Sequence, residues 1–543
     1  MIRRLPLPPS IAVLALIALA FVLPGLAGHA PWKTFDVIQI EIAHQMHLSG
    51  NWLVPHVAGE PWLEDPPLYA WVGLAFANAL GWALPFHEAV RLASGAFLFA
   101  AFGLIYLAAR QWAPEDGRRA EAASAVLLLL GSVGLIVHAH EAVTDLASLA
   151  AVCGGFAALA PAARRPLASG AAFGAALGLA FLSTGFVVPL ALAAAVLLAH
   201  LVCDEWRTRR GAAFVAVALA VALAIAASWP LALWLRSPPL FGEWWANTAR
   251  LRGDFLDNLG YYLVLASWFA WPAWALAAWA AWTRRRRWRE PRQFVPLAAA
   301  VFSLVGISLA GPDQDVNGIA LLAPLALAAA PVIGQLRRGA AAALDWFGVM
   351  TFAFFAGLVW LGYVAMMTGV PPRIAHNFAK LAPGFSAQFD PLAFALAAAA
   401  TLGWLYLVFF TAPSATRGVM RWAAGVALLW TTFATLWLPW ADYLSSYRPV
   451  AEAIAAKLPP DARCVSRYKL GDAQRAELSY HEGIVTRRYD PRRLCPLLIT
   501  EGVPGREAGA PPGWIKLADV GRPGDRDERI RLYRRPRSST RSQ

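Results

Sequence analysis

Apolar runs of roughly 18–24 residues recur between residues 10 and 440, separated by short polar loops. A run of that length is what a helix needs to cross the hydrocarbon core of a bilayer. The pattern predicts spans near 9–27, 88–109, 121–137, 145–161, 168–183, 186–203, 212–235, 259–282, 294–310, 317–335, 344–368, 391–411 and 422–440, about thirteen in all. The first run, "SIAVLALIALAFVLPGLAG", follows Arg3 and Arg4 as a secretory signal would. It lacks a small-residue cleavage site and many spans follow it, so it reads as a retained first helix. The stretch 67–86 breaks the pattern. Proline bounds it at both ends and Gly73, Asn78 and Gly81 interrupt it, which predicts an interfacial or re-entrant helix. After about residue 441 the long apolar runs stop. "SYRPVAEAIAAKL" reads as an amphipathic helix, and "ARCVSRYKL", "IVTRRYD", "LLITEG", "WIKLADV" and "IRLYRR" read as short strands. The expected fold class is an α-helical polytopic membrane protein with a small external C-terminal α/β domain. Residues 1–440 form the membrane part, with a first external loop at 28–87. Residues 441–535 form the external domain, and 536–543 a disordered tail.

Composition agrees with this reading. The chain has 543 residues, is 58% hydrophobic and 15% charged, and contains 25 Trp. Its mean hydropathy is +0.49. The net charge of +13 is not spread evenly. Arginines gather in alternate loops, above all in "TRRRRWREPR", whereas the intervening loops are acidic. The positive-inside rule places the arginine-rich loops and the N-terminus in the cytoplasm, and the acidic loops and the C-terminal domain outside. The basic excess is therefore a topology signal, and no nucleic-acid partner is expected. Cys153 and Cys203 fall in or beside spans and read as apolar filler. Cys464 and Cys495 fall in the external domain, where a bridge and two free thiols are both open.

The polar chemistry sits at the external ends of the spans. "GEPWLEDPPLY" sets Glu64 and Asp65 before two prolines, in a loop that also holds Asp36, Glu41, His44, His47, His56 and Glu60. The next external turn, "VHAHEAVTDLA", holds His138, His140, Glu141 and Asp145, and a later one holds Asp313 and Asp315. His138, His140 and Glu141 are metal-ligand types, although His-x-His suits a strand better than one helix face. A divalent cation and a solvated surface both stay open there. Asp145 reads either as a site carboxylate or as a cap with Thr144. The three acidic clusters could line one cavity for a cation, a sugar or a polar acceptor. The centres of the spans carry almost no charge, unlike a transporter's ion pathway. Chemistry at the external surface suits an enzyme that takes a lipid-borne substrate.

In order along the chain, "PWKTFDVIQIEIAHQMHLSGNWLVPHVAGEPWLEDPPLYAWVGLAFANALG", "HEAVRLASG", "VTD", "LGLAFLSTGFVVPLAL" and "ADYLSSYRPVAEAI" resemble the aminoarabinose (4-amino-4-deoxy-L-arabinose) transferase-like glycosyltransferases. That family is related to the dolichyl-phosphate-mannose protein mannosyltransferases. The resemblance implies a GT-C fold and transfer of a sugar from a polyprenyl phosphate carrier to a lipid (lipid A-like) or glycan acceptor. It places the reaction on the periplasmic face of the bacterial inner membrane, among membrane lipids. Glu64 matches the glutamate of the family's Glu-Lys-Pro-Pro segment. The family's lysine after it is Asp65 here, the lysine expected before Gly185 is Thr184, and the family's Asp-Glu pair is Phe35–Asp36. Each lost lysine removes a charge-assisted phosphate contact worth about 1.5–3 kcal/mol. The resemblance makes Asp36 the candidate base for a hydroxyl acceptor, with Glu64 and Asp145 shaping the site or holding a cation. Asp65, Tyr69 and Thr184 are then the candidates on the carrier side. A divalent cation bridging Asp65 is one remedy for the lost charge, and His44, His56, Arg91, Arg250 and Arg252 are the other cations at hand. A non-catalytic carrier-binding relative and a lipid-sugar transporter on the same scaffold are the alternatives.

Overall fold

The computed structural model describes residues 9–32, 34–248, 254–310, 314–459, 464–492, 495–505 and 513–536. Arg3, Arg4, Arg250, Arg252, Asp313 and the tail from residue 537 lie outside the described residues. Among those described, eight helices are long and apolar enough to cross a membrane, from Phe86–Trp112 to Thr416–Leu436. Helices Ile11–Val22, Thr144–Leu159 and Val187–Val202 are apolar but shorter. The span expected at 259–282 is broken: Phe255–Phe269 and Ala273–Thr283 meet at 99°. Pro272 stands at the break, where a missing N–H and a ring clash oppose continuation of the helix.

The stretch at 67–86 forms a 13-residue helix, Leu68–Leu80, too short to cross a bilayer. It starts directly after Pro66 and Pro67, which keep the preceding Glu64 and Asp65 on irregular backbone. A Cβ on its Gly73 would lie 2.8 Å from the Val90 side chain. The missing side chain therefore lets this helix lie close on Phe86–Trp112.

The C-terminal segment carries a five-stranded sheet in the order Arg487–Arg488, Val465–Tyr468, Leu497–Gly502, Arg529–Arg534, Ile515–Val520. The first two pairings are parallel and the last two antiparallel. Ile454, Leu478, Leu497, Ile499, Ile530 and Leu532 form its core. Cys464 and Cys495 are bridged, with Cα atoms 5.2 Å apart. The bridge joins the starts of two neighbouring parallel strands, and it closes the question that spacing left open.

A helix absent from the sequence expectation, Asp472–Glu482, attaches this segment to the membrane part. Its Ala473 and Ala476 pack with Val37, Ile38, Ile42 and Met46 of the first-loop helix Phe35–Ser49 and with Val57. A second tie is ionic. Glu60 accepts hydrogen bonds from Arg467 at 2.7 and 2.8 Å and from Arg475 at 2.8 Å, while Arg475 also donates to the Val57 carbonyl at 2.9 Å. Both arginines are almost fully buried, and the Glu60 side chain is 41% exposed. Glu60→Ala would leave two buried guanidiniums short of a partner. We expect it to lower the unfolding free energy by about 1–2 kcal/mol, tempered by the solvent that reaches Glu60. Limited proteolysis should then cut between the membrane part and the C-terminal segment sooner than in the unmodified protein.

Candidate functional site

A cavity of about 500 Å³ lies between the loop ends of the helices and the C-terminal segment. The first-loop helix contributes Thr34, Phe35 and Gln39 to its wall, and the segment before the two prolines contributes Trp62, Glu64 and Asp65. Helix Thr144–Leu159 begins in the wall, so Thr144 and Asp145 open into it. Helix Pro166–Thr184 ends in it. Gly185 follows with φ +72°, a turn that suits glycine, and leaves Thr184 as the last helical residue at the cavity. Gln314 and Asn317 come from the turn after helix Pro291–Ala310, and Asp472 and Gln474 from the first turn of Asp472–Glu482.

The structure thus brings together Glu64, Asp65, Asp145 and Thr184 from distant parts of the sequence. It adds Asp472, and among the described residues no Lys or Arg lines the wall. Burial pushes the Asp65 carboxyl up to about 8, and the neighbouring charges of Asp145 and Glu64 push in the same direction. At neutral pH Asp65 is therefore mostly a neutral acid that can donate a hydrogen bond. The Thr184 hydroxyl lies 3.2 Å from Ser148 Oγ.

Asp36 is elsewhere. One helical step of about 100° separates it from Phe35, and it is Phe35 that faces the cavity. Asp36 is fully buried against an equally buried Arg91, with Nη2–Oδ2 at 2.7 Å and Nε–Oδ1 at 2.9 Å. It also accepts from the backbone N–H groups of Trp32 at 3.0 Å and Ala142 at 2.8 Å. Burial alone would favour the neutral acid, but the Arg91 guanidinium and these donors hold the carboxyl below its ordinary range. Every Asp36 lone pair is directed at the protein, and the expected base does not reach the cavity.

Tyr69 also falls outside it. It lies on the buried face of Leu68–Leu80, with its hydroxyl 2.7 Å from Ser94 Oγ. The expected metal set separates as well. His138 Nδ1 lies 3.0 Å from Glu141 Oε2, and its Nε2 lies 3.6 Å from Asp315 Oδ2. Burial opposes a charge on His138, yet these two carboxylates prevail and push it up to about 9. His140 turns away and stacks on Trp430 at 4.0 Å, with its ring nitrogens on the Phe21 and Ile136 carbonyls. Three ligands cannot converge from these positions, and no group of three or more metal-ligating side chains forms among the described residues. Of the other expected cations, Arg91 is committed to Asp36, His44 approaches Glu41 at 3.4 Å, and His56 meets the Val54 carbonyl at 2.8 Å.

Sequence reading missed Gln39, Gln314, Asn317, Asp472 and Gln474. "GPDQDVN" signalled an external polar turn and so held Gln314 and Asn317. Nothing local pointed to Asp472 or Gln474, because their place depends on how the C-terminal segment docks.

The class defined by fold and site is a polytopic membrane protein with an acidic cavity enclosed between its loops and a sheet-bearing C-terminal segment. Over 96% of its length the chain shares the fold of ArnT from Cupriavidus metallidurans bound to undecaprenyl phosphate. It covers 97% of that chain with a TM-score of 0.67 and 20% identity, and the apo form matches with a TM-score of 0.66. In sequence it is homologous to the undecaprenyl phosphate-alpha-4-amino-4-deoxy-L-arabinose arabinosyl transferases. The Serratia proteamaculans protein is 24% identical over 425 residues, 76% of this chain and 72% of the relative. The Aeromonas salmonicida protein is 26% identical over 442 residues, 79% and 76%, and the Pseudomonas savastanoi protein 28% over 368 residues, 65% and 67%. No family model matches the chain.

The Asp36–Arg91 pair sets a prediction that separates a structural role from a catalytic one. Removing one partner of a buried pair typically costs about 3–5 kcal/mol, so Asp36→Asn and Arg91→Gln should both lower Tm. Asp36 has a depressed folded-state pKa, so its contribution is complete above its ordinary unfolded value near 4 and is lost as the pH falls through the lower folded value. Thermal melts between about pH 6 and 3 should show that loss in the unmodified protein and a shallower slope in Asp36→Asn.

Proposed function

We propose that the protein is a membrane glycosyltransferase that moves a sugar from a polyprenyl phosphate carrier to a lipid-linked phosphate acceptor of the lipid A type. The observation that carries this reading is the cavity itself, which gathers Glu64, Asp65, Asp145 and Thr184 in a chain homologous to arabinosyl transferases over most of its length. The membrane part is read as thirteen spans: the eight long helices, the bent pair, the three shorter apolar helices and the helix Arg118–Leu130. The arginine-rich loops and the N-terminus face the cytoplasm, and the C-terminal segment from 441 to 535 is a periplasmic domain in the bacterial inner membrane.

The placement of Asp36 favours a phosphate acceptor over a hydroxyl. A hydroxyl acceptor needs a base to take its proton, and the expected base is sealed in an ion pair while Phe35 takes the cavity position. A phosphate acceptor is already ionised and needs none. Its oxygen attacks the anomeric carbon, the bond from that carbon to the carrier phosphate oxygen breaks, and the electron pair leaves with the carrier phosphate. Asp65, protonated at neutral pH, donates a hydrogen bond to that phosphate and passes it a proton as it departs. The Thr184 hydroxyl is a further contact on the carrier side, and Glu64 and Asp145 stabilise positive charge developing on the sugar. Asp36 and Tyr69 are positioning residues. This scheme requires no bound metal, since the neutral Asp65 replaces repulsion with a donated hydrogen bond.

The test is incubation of the purified full chain with a polyprenyl-phosphate sugar and a lipid phosphate acceptor, scored for released carrier phosphate and glycosylated lipid. Turnover supports the reading, and carrier binding without turnover would replace it with a carrier-binding protein. Activity should fall as the pH rises through about 8, where Asp65 loses its proton. Asp65→Asn should keep carrier binding but cut turnover by about 100-fold or more, the usual share of a general acid. Asp65→Lys should tighten carrier binding. For the orientation, Asn51→Cys should react with an impermeant thiol reagent in intact cells and Arg286→Cys should not. The native cysteines give little background, as Cys153 and Cys203 are buried and the other two are bridged.

A further inference from the structure

Helix Pro291–Ala310 leads at its C-terminal end toward the acidic cavity, and a second feature lies at its other end. A groove of about 360 Å³ runs there between this helix and helices Val187–Val202 and Ala273–Thr283. Its long walls are aliphatic and aromatic: Leu198, Leu297, Val301 and Phe302, with Val301 58% exposed. Its head is polar. Gln293, in the first turn of the helix, is only 2% exposed and lines the groove, yet neither its amide oxygen nor its amide nitrogen has a hydrogen-bond partner among the described residues. Arg284 Nη1, also in the groove wall, is buried and without a partner among them. Unmade bonds on buried polar atoms are costly, so a donor-and-acceptor pair in the wall of a groove marks a place for a ligand that supplies both.

The surrounding charge selects the ligand. Arg287 approaches Glu290 at 3.8 Å, and Arg292 pairs with Glu121. Arg284, Arg285, Arg286 and Arg289 have no carboxylate partner among the described residues. A soluble anion would use the arginines and leave the apolar walls wet, whereas an acyl chain would use the walls and leave Arg284 and Gln293 unmet. Only a molecule with both parts satisfies the whole groove.

We propose that this groove is a binding site for one anionic glycerophospholipid from the leaflet on the arginine-rich side. Its phosphodiester accepts from Arg284 and the Gln293 amide, a headgroup hydroxyl donates to the Gln293 oxygen, and an acyl chain lies along Leu297, Val301 and Phe302. The site is independent of the sugar-transfer cavity, so its test does not depend on activity.

Delipidated full-length protein in a non-ionic detergent is offered phosphatidylglycerol or phosphatidylcholine, and native mass spectrometry reads the bound fraction. One phosphatidylglycerol should be retained in preference to phosphatidylcholine by at least about fivefold, the effect of roughly one well-placed arginine. Arg284→Gln should abolish that preference, and Val301→Trp, a change at an exposed position, should block the groove to both lipids. Arg337→Gln combined with Arg338→Gln removes the same kind of charge from another loop and should leave the preference intact. Equal retention of the two lipids would overturn the proposal, as would a preference that survives both groove variants. Displacement of the lipid by millimolar inorganic phosphate would also overturn it, showing a site for a soluble anion.

Discussion

The Asp36–Arg91 ion pair is the constraint on which the functional end of the molecule depends. Arg91 sits near the start of a long membrane helix, and besides Asp36 it binds the His29 and Ala30 carbonyls at 3.0 and 2.8 Å. Asp36 in turn takes the N–H of Trp32 and that of Ala142, two residues before helix Thr144–Leu159. One pair thus locks the loop after the first helix, the first-loop helix, a membrane helix and the turn that presents Asp145. A buried pair of this kind is weak evidence of net stability, but each partner is indispensable to the other. Asp442 extends the network, accepting from Ala30 N–H and from the Trp32 indole, both at 2.9 Å.

The same lock has an electrostatic consequence. With Arg91 committed, the cavity carries Glu64, Asp65, Asp145 and Asp472 without a described Lys or Arg in its wall. Burial, reinforced by the neighbouring charges of Asp145 and Glu64, drives Asp65 toward neutrality. Under the proposed function, the residue that stands where the resemblance expects a phosphate-binding lysine acts as a proton donor instead. The polar amides of Gln39, Gln474 and Asn317 complete a wall that is acidic yet able to donate hydrogen bonds.

Much of this was legible in the sequence, and the failures share a cause. The eight long membrane helices, the short helix after "EDPP" and the C-terminal strands follow from runs and alternations of apolar residues, a signal the local sequence carries by itself. Pro66 and Pro67 correctly placed Glu64 and Asp65 on irregular backbone. Helix Asp472–Glu482 was missed because Gln474, Arg475, Glu477 and Ser479 are buried. Its inward face is polar because it meets another part of the chain through ionic contacts, and periodicity cannot reveal that. Tyr69 and His140 have the right residue type in the right loop, but only helix facing decides that one meets Ser94 and the other Trp430. Phe35 and Asp36 show the limit most sharply. They are adjacent in sequence, and a single residue step puts one in the cavity and the other in the core.

The proposed function puts a carrier phosphate in the cavity closed by the C-terminal segment, against Asp65 and Thr184. A photoreactive polyprenyl phosphate analogue, with its reactive group next to the phosphate, tests it most directly when crosslinked peptides are mapped in the intact protein. Adducts are expected on the segments around Trp62–Asp65, Thr184 and Asp472–Gln474, competed away by unlabelled carrier. Specific adducts confined to other segments, with these three unlabelled, would contradict it.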